Sequence, residues 1–433
     1  MLILKNANVV DADGENEVDI VIDGSTIKDT GRGASRKYKE SGAEVIDLKG
    51  RIAMPGFVCS HNHFYSALAR GIIANIKPSS DFVSVLKNLW WRLDRALDEE
   101  SIYYSGLAGA LDAVKSGTTS VIDHHASPSF IKGSLNLIKD GFDKTGLRGI
   151  LAYEVTDRNG EDGMREGVKE NIEFAEQNAD NPLIRASIGA HAPFTLGDNA
   201  MSMLAEAVRD TGAGLHIHVC EDSYDASASH HLYGMDVTER LEKFKLLSEK
   251  TILVHGVYLT DSDRERINSC NSFLVHNARS NMNNGVGYNS KLSGFKNVAL
   301  GTDGIGSDMI EEMKIAYFKH KDSGGGLWPP DFLGFLNNGN KLLERYFGGK
   351  FGLIKEGYNA DITVLDYDPP TPLSGDNIAG HLVFGMNSGL VETVIIGGKV
   401  VYRERAFPFN VSEIYKKARK LANKLWKRMN KLI

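Results

Sequence analysis

The segment 55–63 reads PGFVCSHNH, an apolar run that ends in two histidines separated by one residue. Seven further runs have the same form, apolar until a polar group appears at the last positions; they lie at 119–125, 148–155, 184–191, 214–219, 251–257, 272–277 and 297–303. Helix-like segments such as DFVSVLKNLWWRLDRAL and VTERLEKFKLL stand between them. Eight buried strands, each followed by a crossover, predict an α/β protein built on a (β/α)8 TIM barrel. A doubly wound open sheet is the alternative.

The polar groups at the ends of these runs favour the barrel. They are His61, His63, His125, Glu154, His191, His218, His255, His276 and Asp303. In barrel enzymes the catalytic residues come from the carboxyl ends of several strands. One such histidine alone would be read as a core residue, whereas eight strand ends in register predict an active site at the mouth of the barrel.

The two chain ends follow a different pattern of apolar and polar residues. Residues 1–53 alternate apolar and polar positions between turn pairs, and the same pattern returns in ADITVLDY (360–367) and VETVIIGGKVVYRE (391–404). Neither piece is large enough to bury an apolar face, because an isolated hairpin is marginal in water. We therefore expect 1–53 and 352–406 to form one small β-sandwich domain, with the catalytic barrel, 54–351, inserted between them.

Composition excludes several classes of protein. The 433 residues carry 50 Lys+Arg and 56 Asp+Glu, a net charge of −6, so no basic field indicates a nucleic-acid partner. No apolar stretch approaches the roughly 18 residues of a membrane span and no secretory leader is evident, so a cytoplasmic protein without a membrane partner is expected. The three cysteines (Cys59, Cys220, Cys270) are isolated, which excludes a disulfide framework, a four-cysteine zinc site and the zinc site of cytidine deaminases.

The C-terminal segment 407–433 is predicted to be a basic amphipathic helix. Between 412 and 433 it carries eight Lys/Arg and one Glu, with apolar residues on one helical stripe and Ser412 as the expected N-cap. Such a helix can lie on a membrane, but more often it packs its stripe on its own protein. We expect the second arrangement.

Residues of metal chemistry concentrate at four strand ends. His61 and His63 point to the same face of a strand, so both imidazoles can reach one ion. With His218 and the anionic Asp303 they would leave one position open for water, which is typical of a catalytic site; imidazoles suit zinc, with iron as the alternative. Glu221, three residues after His218, is suited to general acid–base catalysis without ligating the ion. Asp303 can also take a proton, and His255 can polarise the atom under attack.

These motifs carry a family resemblance. PGFVCSHNH, HIHVCE, LVHG, LVHNARSN and LGTDG, in this order, resemble the amidohydrolase superfamily, and within it the mononuclear aminohydrolases that include guanine, cytosine and S-adenosylhomocysteine deaminases and the triazine hydrolases. SHNHFYSALARGI, NLWWRLDRALDEE, DHHASPSFIKGSL, GAHAPFT and RSNMNN resemble the SsnA-type aminohydrolases. The resemblance spans essentially the whole chain.

The resemblance implies one divalent transition metal held by His61, His63, His218 and Asp303, with Glu221 as the acid–base glutamate and His255 as the histidine of the sixth strand. It also implies a homo-oligomer, most commonly a dimer. Ala278 is a departure, since relatives commonly carry proline there.

The reaction expected is deamination of a planar N-heterocycle (purine-, pterin- or pyrimidine-like) by metal-activated hydroxide, with Glu221 as proton shuttle. The fourth run ends in GAHAPFT without a lysine, which argues against the two-metal hydrolysis of cyclic amides. Glu221 is present, which argues against triazine dechlorination. Other C–N or C–Cl hydrolysis, and a catalytically silent metal-binding relative, stay open as alternatives.

The small-molecule substrate is expected to meet Trp90, His125, Arg158, His191 and Arg279. Trp90 and Trp91 follow the first barrel strand and could close over a flat ring, or could simply pack on the barrel. Arg158 and Arg279 follow the third and seventh strands, and a guanidinium suits a substrate carbonyl or carboxylate.

Overall fold

A computed structural model describes residues 1–11, 14–79 and 81–432. The strands are β1 (Leu2–Asp11), β2 (Gly14–Asp23), β3 (Thr26–Gly31), β4 (Glu44–Asp47), β5 (Ile52–Pro55), β6 (Phe57–His63), β7 (Thr118–His125), β8 (Arg148–Tyr153), β9 (Ile184–Ala186), β10 (Ile188–Ala190), β11 (Leu215–Val219), β12 (Ile252–His255), β13 (Phe273–His276), β14 (Val298–Leu300), β15 (Asp303–Gly304), β16 (Ile362–Leu365), β17 (Val391–Ile396) and β18 (Lys399–Tyr402).

The α-helices are α1 (Phe82–Val85), α2 (Trp91–Ala96), α3 (Glu99–Lys115), α4 (Ser134–Thr145), α5 (Gly160–Gln177), α6 (Asp198–Thr211), α7 (Ser223–Tyr233), α8 (Val237–Lys243), α9 (Asp261–Ser269), α10 (Ala278–Asn284), α11 (Met309–Asp322), α12 (Pro329–Phe347), α13 (Ile378–Phe384) and α14 (Val411–Met429). Strands and helices alternate from β6 onward, whereas the N-terminal end consists almost entirely of strands.

The middle of the chain forms a closed parallel barrel. Its strands lie in two sheets, β15-β6-β7-β8-β9 and β10-β11-β12-β13-β14. The sheets adjoin at both edges: the Ser187 amide donates to the Leu151 carbonyl (3.1 Å) beside β8, and the Thr302 amide donates to the His61 carbonyl (3.1 Å) beside β6. Because β9 with β10 and β14 with β15 each act as one interrupted strand, the ring has eight members. The predicted (β/α)8 barrel is confirmed.

The two interrupted strands differ from the sequence-based expectation of eight continuous runs. The fourth run, 184–191, breaks at Ser187, and the eighth, 297–303, breaks between Leu300 and Asp303.

The lower end of the barrel is closed by apolar side chains. Leu342 and Leu343 of α12 pack among buried residues near the strand starts, including Val58 of β6, Ile252 of β12 and Phe273 of β13. Polar side chains inside the barrel therefore concentrate at the opposite, carboxyl end.

The two chain ends meet in one connected sheet, ordered β18-β17-β16-β5-β1-β2-β3, with β4 paired to β1. The link between the ends is the antiparallel pair β16–β5, in which Leu365 is opposite Ile52. A buried ion pair fixes this sheet to the barrel: the Arg148 guanidinium donates to the Asp361 carboxylate through Nε (2.9 Å) and Nη2 (3.1 Å).

The predicted helix at 81–97 is a composite. α1 and α2 are joined by a π-helical turn, Leu86–Trp90. Single π-turns inside helices are rare and often lie at functional sites. Here the turn contributes Leu86 and Trp90 to the wall of the central cavity.

The C-terminal helix α14 packs its apolar face on α2, α3 and the 3₁₀ helix Phe64–Ala69. Ala418, Leu421, Leu425 and Met429 are buried on that face. The expected N-cap was wrong: the cap is Asn410, whose side chain accepts from the Ser412 amide (3.0 Å). Over the described ranges, no helix has both the length and the apolar character that a membrane span requires.

Candidate active site

Four buried side chains from three parts of the barrel converge at its mouth. His61 and His63 end β6, His218 lies in β11, and Asp303 begins β15. Asp303 Oδ1 is 3.0 Å from His63 Nε2 and 3.3 Å from His61 Nε2, while the Nε2 atoms of His63 and His218 are 3.2 Å apart. Ligand atoms around a tetrahedral zinc ion with bonds of about 2.0–2.1 Å lie about 3.3 Å apart. The observed spacings match that geometry.

The protonation pattern of these imidazoles favours metal binding. Nδ1 of His63 contacts the His124 carbonyl (2.6 Å) and Nδ1 of His218 contacts the His191 carbonyl (2.7 Å). A carbonyl oxygen only accepts, so each Nδ1 carries a proton, and in the neutral ring Nε2 presents a lone pair. Burial acts to lower the pKa of His63, but the hydrogen bond to Asp303 outweighs it and raises that pKa to about 9, so a cation at this site would replace the proton on His63 Nε2. In their neutral forms the two rings face each other with Nε2 lone pairs 3.2 Å apart, and both can bind one cation.

His61 is also suited to binding a metal ion. Burial lowers its pKa to about 3, and its Nε2 has no hydrogen-bond partner among the described residues. Its Nδ1 lies 2.9 Å from Nε2 of His216, which sits deeper in the barrel. The residues present therefore fit a divalent transition metal.

The chain turns sharply at three of these strand ends. Cys220, His255 and Asp303 adopt φ values of 47°, 71° and 56°, in the left-handed region that L-residues rarely occupy. Such strain persists where surrounding contacts determine it and is common at functional sites. At Cys220 the Asp225 carboxylate accepts from the backbone amide (2.7 Å), which fixes the turn that presents Glu221.

Glu221 and His255 face each other beside the cluster. Glu221 Oε2 is 3.5 Å from His255 Nε2, and Glu221 Oε1 accepts from the Asn284 side chain (3.2 Å). Nδ1 of His255 is 2.8 Å from the Asn281 side-chain oxygen, which orients the ring. Burial raises the pKa of Glu221 to about 7, despite the opposing effect of His255. A carboxyl group with a pKa near neutrality can both accept and release a proton at the operating pH.

Asp303 is fixed by a further contact. Its Oδ2 accepts a short hydrogen bond from the Ser280 hydroxyl, and Oδ2 is 3.9 Å from His255 Nε2. His255 also belongs to the cluster by distance, since its ligand atom lies within 4.8 Å of those of His61, His218 and Asp303.

A cavity of about 200 Å³ opens over this cluster. Its lining includes apolar and aromatic side chains, among them Tyr65, Leu86, Trp90 and Trp91. It also includes five of the groups just described, namely His63, His218, Glu221, His255 and Asp303. A concave, partly apolar cavity with a few convergent polar groups is the usual form of a small-molecule site.

The structure brings three of the five predicted substrate contacts to the cavity wall: Trp90, His191 and Arg279. The Arg279 guanidinium donates to the backbone carbonyls of Thr302 (2.6 Å) and Gly304 (3.0 Å), so it holds the loop that carries Asp303. His125 is fully buried behind the wall, with Nε2 2.8 Å from the Ser127 hydroxyl.

The fifth predicted contact, Arg158, also lies behind the wall. Its guanidinium donates to Glu154 Oε1 (3.0 Å), lies 3.8 Å from Asp94, and stacks on Trp91 with 4.3 Å between the guanidinium carbon and the ring centre. The cavity is lined by Glu154 and Asp94 instead. Sequence reasoning placed Glu154 at a strand end but gave it no role, and did not single out Asp94 at all.

Burial and charge separate these two carboxyl groups. Burial raises the pKa of Asp94 to about 7. Burial also acts to raise the pKa of Glu154, but its neighbours His191, His124 and Arg158 outweigh that effect and hold the pKa well below its usual range. At neutral pH Glu154 is therefore ionised, whereas Asp94 is partly protonated.

A metal-binding cluster of imidazoles and one carboxylate at the carboxyl end of a (β/α)8 barrel defines the class of metal-dependent barrel hydrolases. Comparison with known proteins is consistent with that class. The model of the amidohydrolase family matches residues 52–401. The chain belongs to the amidohydrolase family, whose members are metal-dependent enzymes.

Two relatives and one solved structure show how far the similarity extends. The chain is 31% identical to a 5-methylthioadenosine/S-adenosylhomocysteine deaminase of Thermococcus sibiricus, over 92% of this chain and 93% of that protein. It is 30% identical to a 5'-deoxyadenosine deaminase of Methanocaldococcus jannaschii, over 97% and 99%. A zinc-bound adenosine deaminase from Xanthomonas campestris has the same fold, with a TM-score of 0.86 at 20% identity and 98% of both chains covered.

Proposed function

We propose that this protein is a metal-dependent aminohydrolase that removes an exocyclic amino group from a planar N-heterocycle of the purine class. The observation that carries the proposal is the convergence of the imidazole Nε2 atoms and the Asp303 carboxylate on one point, with Glu221 and His255 beside it. The names of the relatives support an adenine-type ring as the substrate.

The residues that would hold the metal are His61, His63, His218 and Asp303. When bound there, a divalent transition metal supplies an activated water nucleophile at neutral pH. We propose zinc, in keeping with the imidazole-rich donor set, with iron as the alternative.

Glu221 is proposed to carry the proton. With a pKa raised to about 7, its carboxyl group can take a proton from the attacking water and deliver it to a ring nitrogen or to the departing amino group. Asn284 holds one of its oxygens, so the other is directed toward His255 and the cluster. His255, oriented by Asn281, is placed to hydrogen-bond to the atom under attack.

Trp90 and Trp91 are proposed to enclose the ring of the substrate from the loop side of the cavity. The enzyme is proposed to act on a free small molecule in the cytoplasm, as a homo-oligomer and without nucleic acid.

Ammonia release tests the proposal. Zinc-loaded protein is incubated with adenine, guanine, 5'-deoxyadenosine and pterin substrates, beside Glu221→Gln and, as a matched control, Glu166→Gln on the exposed face of α5. We expect release by the wild type and by Glu166→Gln, and a loss of kcat of about 100-fold or more in Glu221→Gln, because the amide cannot shuttle a proton. Equal release by wild type and Glu221→Gln would refute the assignment.

A further inference from the structure

Glu154 is a buried carboxylate at the mouth of the barrel that the proposed reaction does not use. It follows β8, its backbone amide donates to the His125 carbonyl (2.7 Å), and the residue is only 5% exposed. Its side chain nevertheless lines the central cavity together with His191 and Trp91. A buried carboxylate is expected to have partners, because burying it unpaired costs several kcal/mol.

Pairing with Arg158 accounts for only one of its oxygens. Oε1 accepts from Arg158 Nη2 (3.0 Å), and Arg158 is itself held from behind by the Thr156 hydroxyl, which accepts from Nε (3.1 Å). Oε2 is 3.4 Å from Nδ1 of His124. Nε2 of His124 contacts the His216 carbonyl (3.2 Å) and so carries the ring proton, which leaves Nδ1 in the neutral ring without a proton to donate. Oε2 therefore keeps acceptor capacity.

Glu154 lies close to the reaction centre. One of its oxygens, a nitrogen of His191 and a nitrogen of His218 lie within 4.8 Å of one another. A second cation is disfavoured there, because the Arg158 guanidinium is already at 3.0 Å from Oε1 and the His218 Nε2 faces His63. A hydrogen-bond donor on a molecule bound in the cavity is within reach of this carboxylate.

The charged groups that line the cavity also favour a ligand that donates hydrogen bonds. Four carboxyl groups line it, those of Asp94, Glu154, Glu221 and Asp303, against a single guanidinium, that of Arg279, which already donates to two backbone carbonyls. Away from the metal cluster, the described residues of this wall offer acceptors to a ligand but no unengaged cation to an anion.

We propose that Glu154 is a specificity-determining residue, which accepts a hydrogen bond from an N–H or O–H group of a neutral purine base or nucleoside and disfavours the corresponding nucleoside phosphates. The inference rests on the proposed function. It assigns Arg158 a positioning role: the guanidinium holds Glu154 in place and does not itself contact the substrate.

Equilibrium binding, followed by the fluorescence of the tryptophans at the cavity, tests the inference independently of turnover. The parent protein is zinc-loaded Glu221→Gln, in which bound probes persist, and it is compared with the same protein carrying Glu154→Gln or Glu170→Gln. Glu170 is the matched control, because its carboxylate is also buried but accepts from the Gly133 and Leu135 amides away from the cavity.

The probes come in pairs that differ by one kind of donor. Adenine and 9-methyladenine differ by the ring N–H, and 5'-deoxyadenosine and 2',3',5'-trideoxyadenosine differ by the ribose hydroxyls. We expect Glu154→Gln to weaken the donor-bearing member of one pair about tenfold, with its partner changed less than twofold, because hydrogen bonds to a charged group are among the stronger ones. The affected pair identifies the donor.

Adenosine 5'-monophosphate provides a second measurement that needs no change at Glu154. It is expected to bind the parent protein at least tenfold more weakly than 5'-deoxyadenosine. Equal binding of these two ligands, no discrimination in either pair, or no binding of any probe would overturn the inference. If the probes discriminate as expected but the wild type releases no ammonia, the proposed deamination fails while the role of Glu154 stands.

Discussion

At the scale of single residues, the site depends on which nitrogen of each imidazole carries a proton. Backbone carbonyls at the ends of neighbouring strands bind Nδ1 of His63 and His218, and so leave Nε2 of both rings for a cation. The sequence reveals the two histidines and their spacing but not these carbonyl partners, because the partners come from strands that are distant in sequence.

Asp225 gives a residue-scale prediction about pH. Burial raises its pKa to about 7, although the Cys220 and Phe194 amides that it binds act to lower that pKa. Between about pH 4 and 7 the folded protein therefore keeps a proton on Asp225 that the unfolded chain releases. Because the folded state then binds more protons, the contribution of Asp225 to the free energy of unfolding falls as pH rises through that window.

Asp225→Asn removes this titration. We expect the difference in free energy of unfolding, Asp225→Asn minus wild type, to rise by on the order of 1 kcal/mol or more between pH 5 and pH 8, since one pKa unit is worth about 1.4 kcal/mol. Urea denaturation of both proteins at each pH measures this difference. Parallel stability profiles for the two proteins would show that Asp225 does not titrate in this range.

At the scale of elements, much of the barrel could be predicted because its strands are continuous apolar runs that end in polar residues. The breaks at Ser187 and before Asp303 could not, since they depend on how the two parallel sheets meet. The N-cap of α14 was misassigned because Asn410 and Ser412 are both good capping residues and lie two positions apart. Arg158 was expected to contact the substrate, and only the fold shows Glu154 and Asp94 beside it.

The last turn of α14 fixes the segment that carries Trp90. The Arg428 guanidinium donates to the Ala96 carbonyl (2.7 Å) and to Asp98 (2.9 Å), and the Trp426 indole donates to the Leu68 carbonyl (2.9 Å). From the other side, the Arg92 guanidinium donates to the Met429 carbonyl (2.7 Å). The basic helix thus serves as a support for one wall of the cavity.

Arg428→Met should therefore act on binding more than on chemistry. We expect KM to rise about threefold to tenfold with kcat within about twofold, because the metal cluster stands on barrel strands that α14 does not hold. Steady-state kinetics of Arg428→Met beside Lys424→Met, an exposed cation one turn earlier, would check this. A fall in kcat with unchanged KM would contradict the proposed support.

At the scale of the whole molecule, the sheet built from both chain ends is joined to the barrel by the Arg148–Asp361 pair. The two side chains are 2% and 8% exposed, and Asp361 also accepts from the Gly397 amide (2.6 Å). That the ends pair could be inferred from their shared strand pattern, whereas this buried ion pair could not, because its partners are separated by 213 residues.

Breaking this pair should destabilise the protein strongly. Arg148→Met leaves the Asp361 carboxylate buried without its cation, which we expect to lower the free energy of unfolding by about 3–5 kcal/mol. Lys28→Met, which breaks the exposed pair with Asp23, should cost far less, because solvent screens that pair. Chemical denaturation of both variants tests the difference, and similar losses would show that Arg148 does not join the two parts.

Metal analysis of the purified protein is the most direct test of the proposed metal centre. Elemental analysis of wild type, His63→Ala, Asp303→Ala and the control His231→Ala, an exposed histidine of α7, measures the transition metal retained per chain after dialysis. We expect one ion per chain in wild type and His231→Ala, and about a tenth of that or less in the other two variants, with their circular dichroism unchanged. Full retention by His63→Ala and Asp303→Ala, or two ions per wild-type chain, would contradict it.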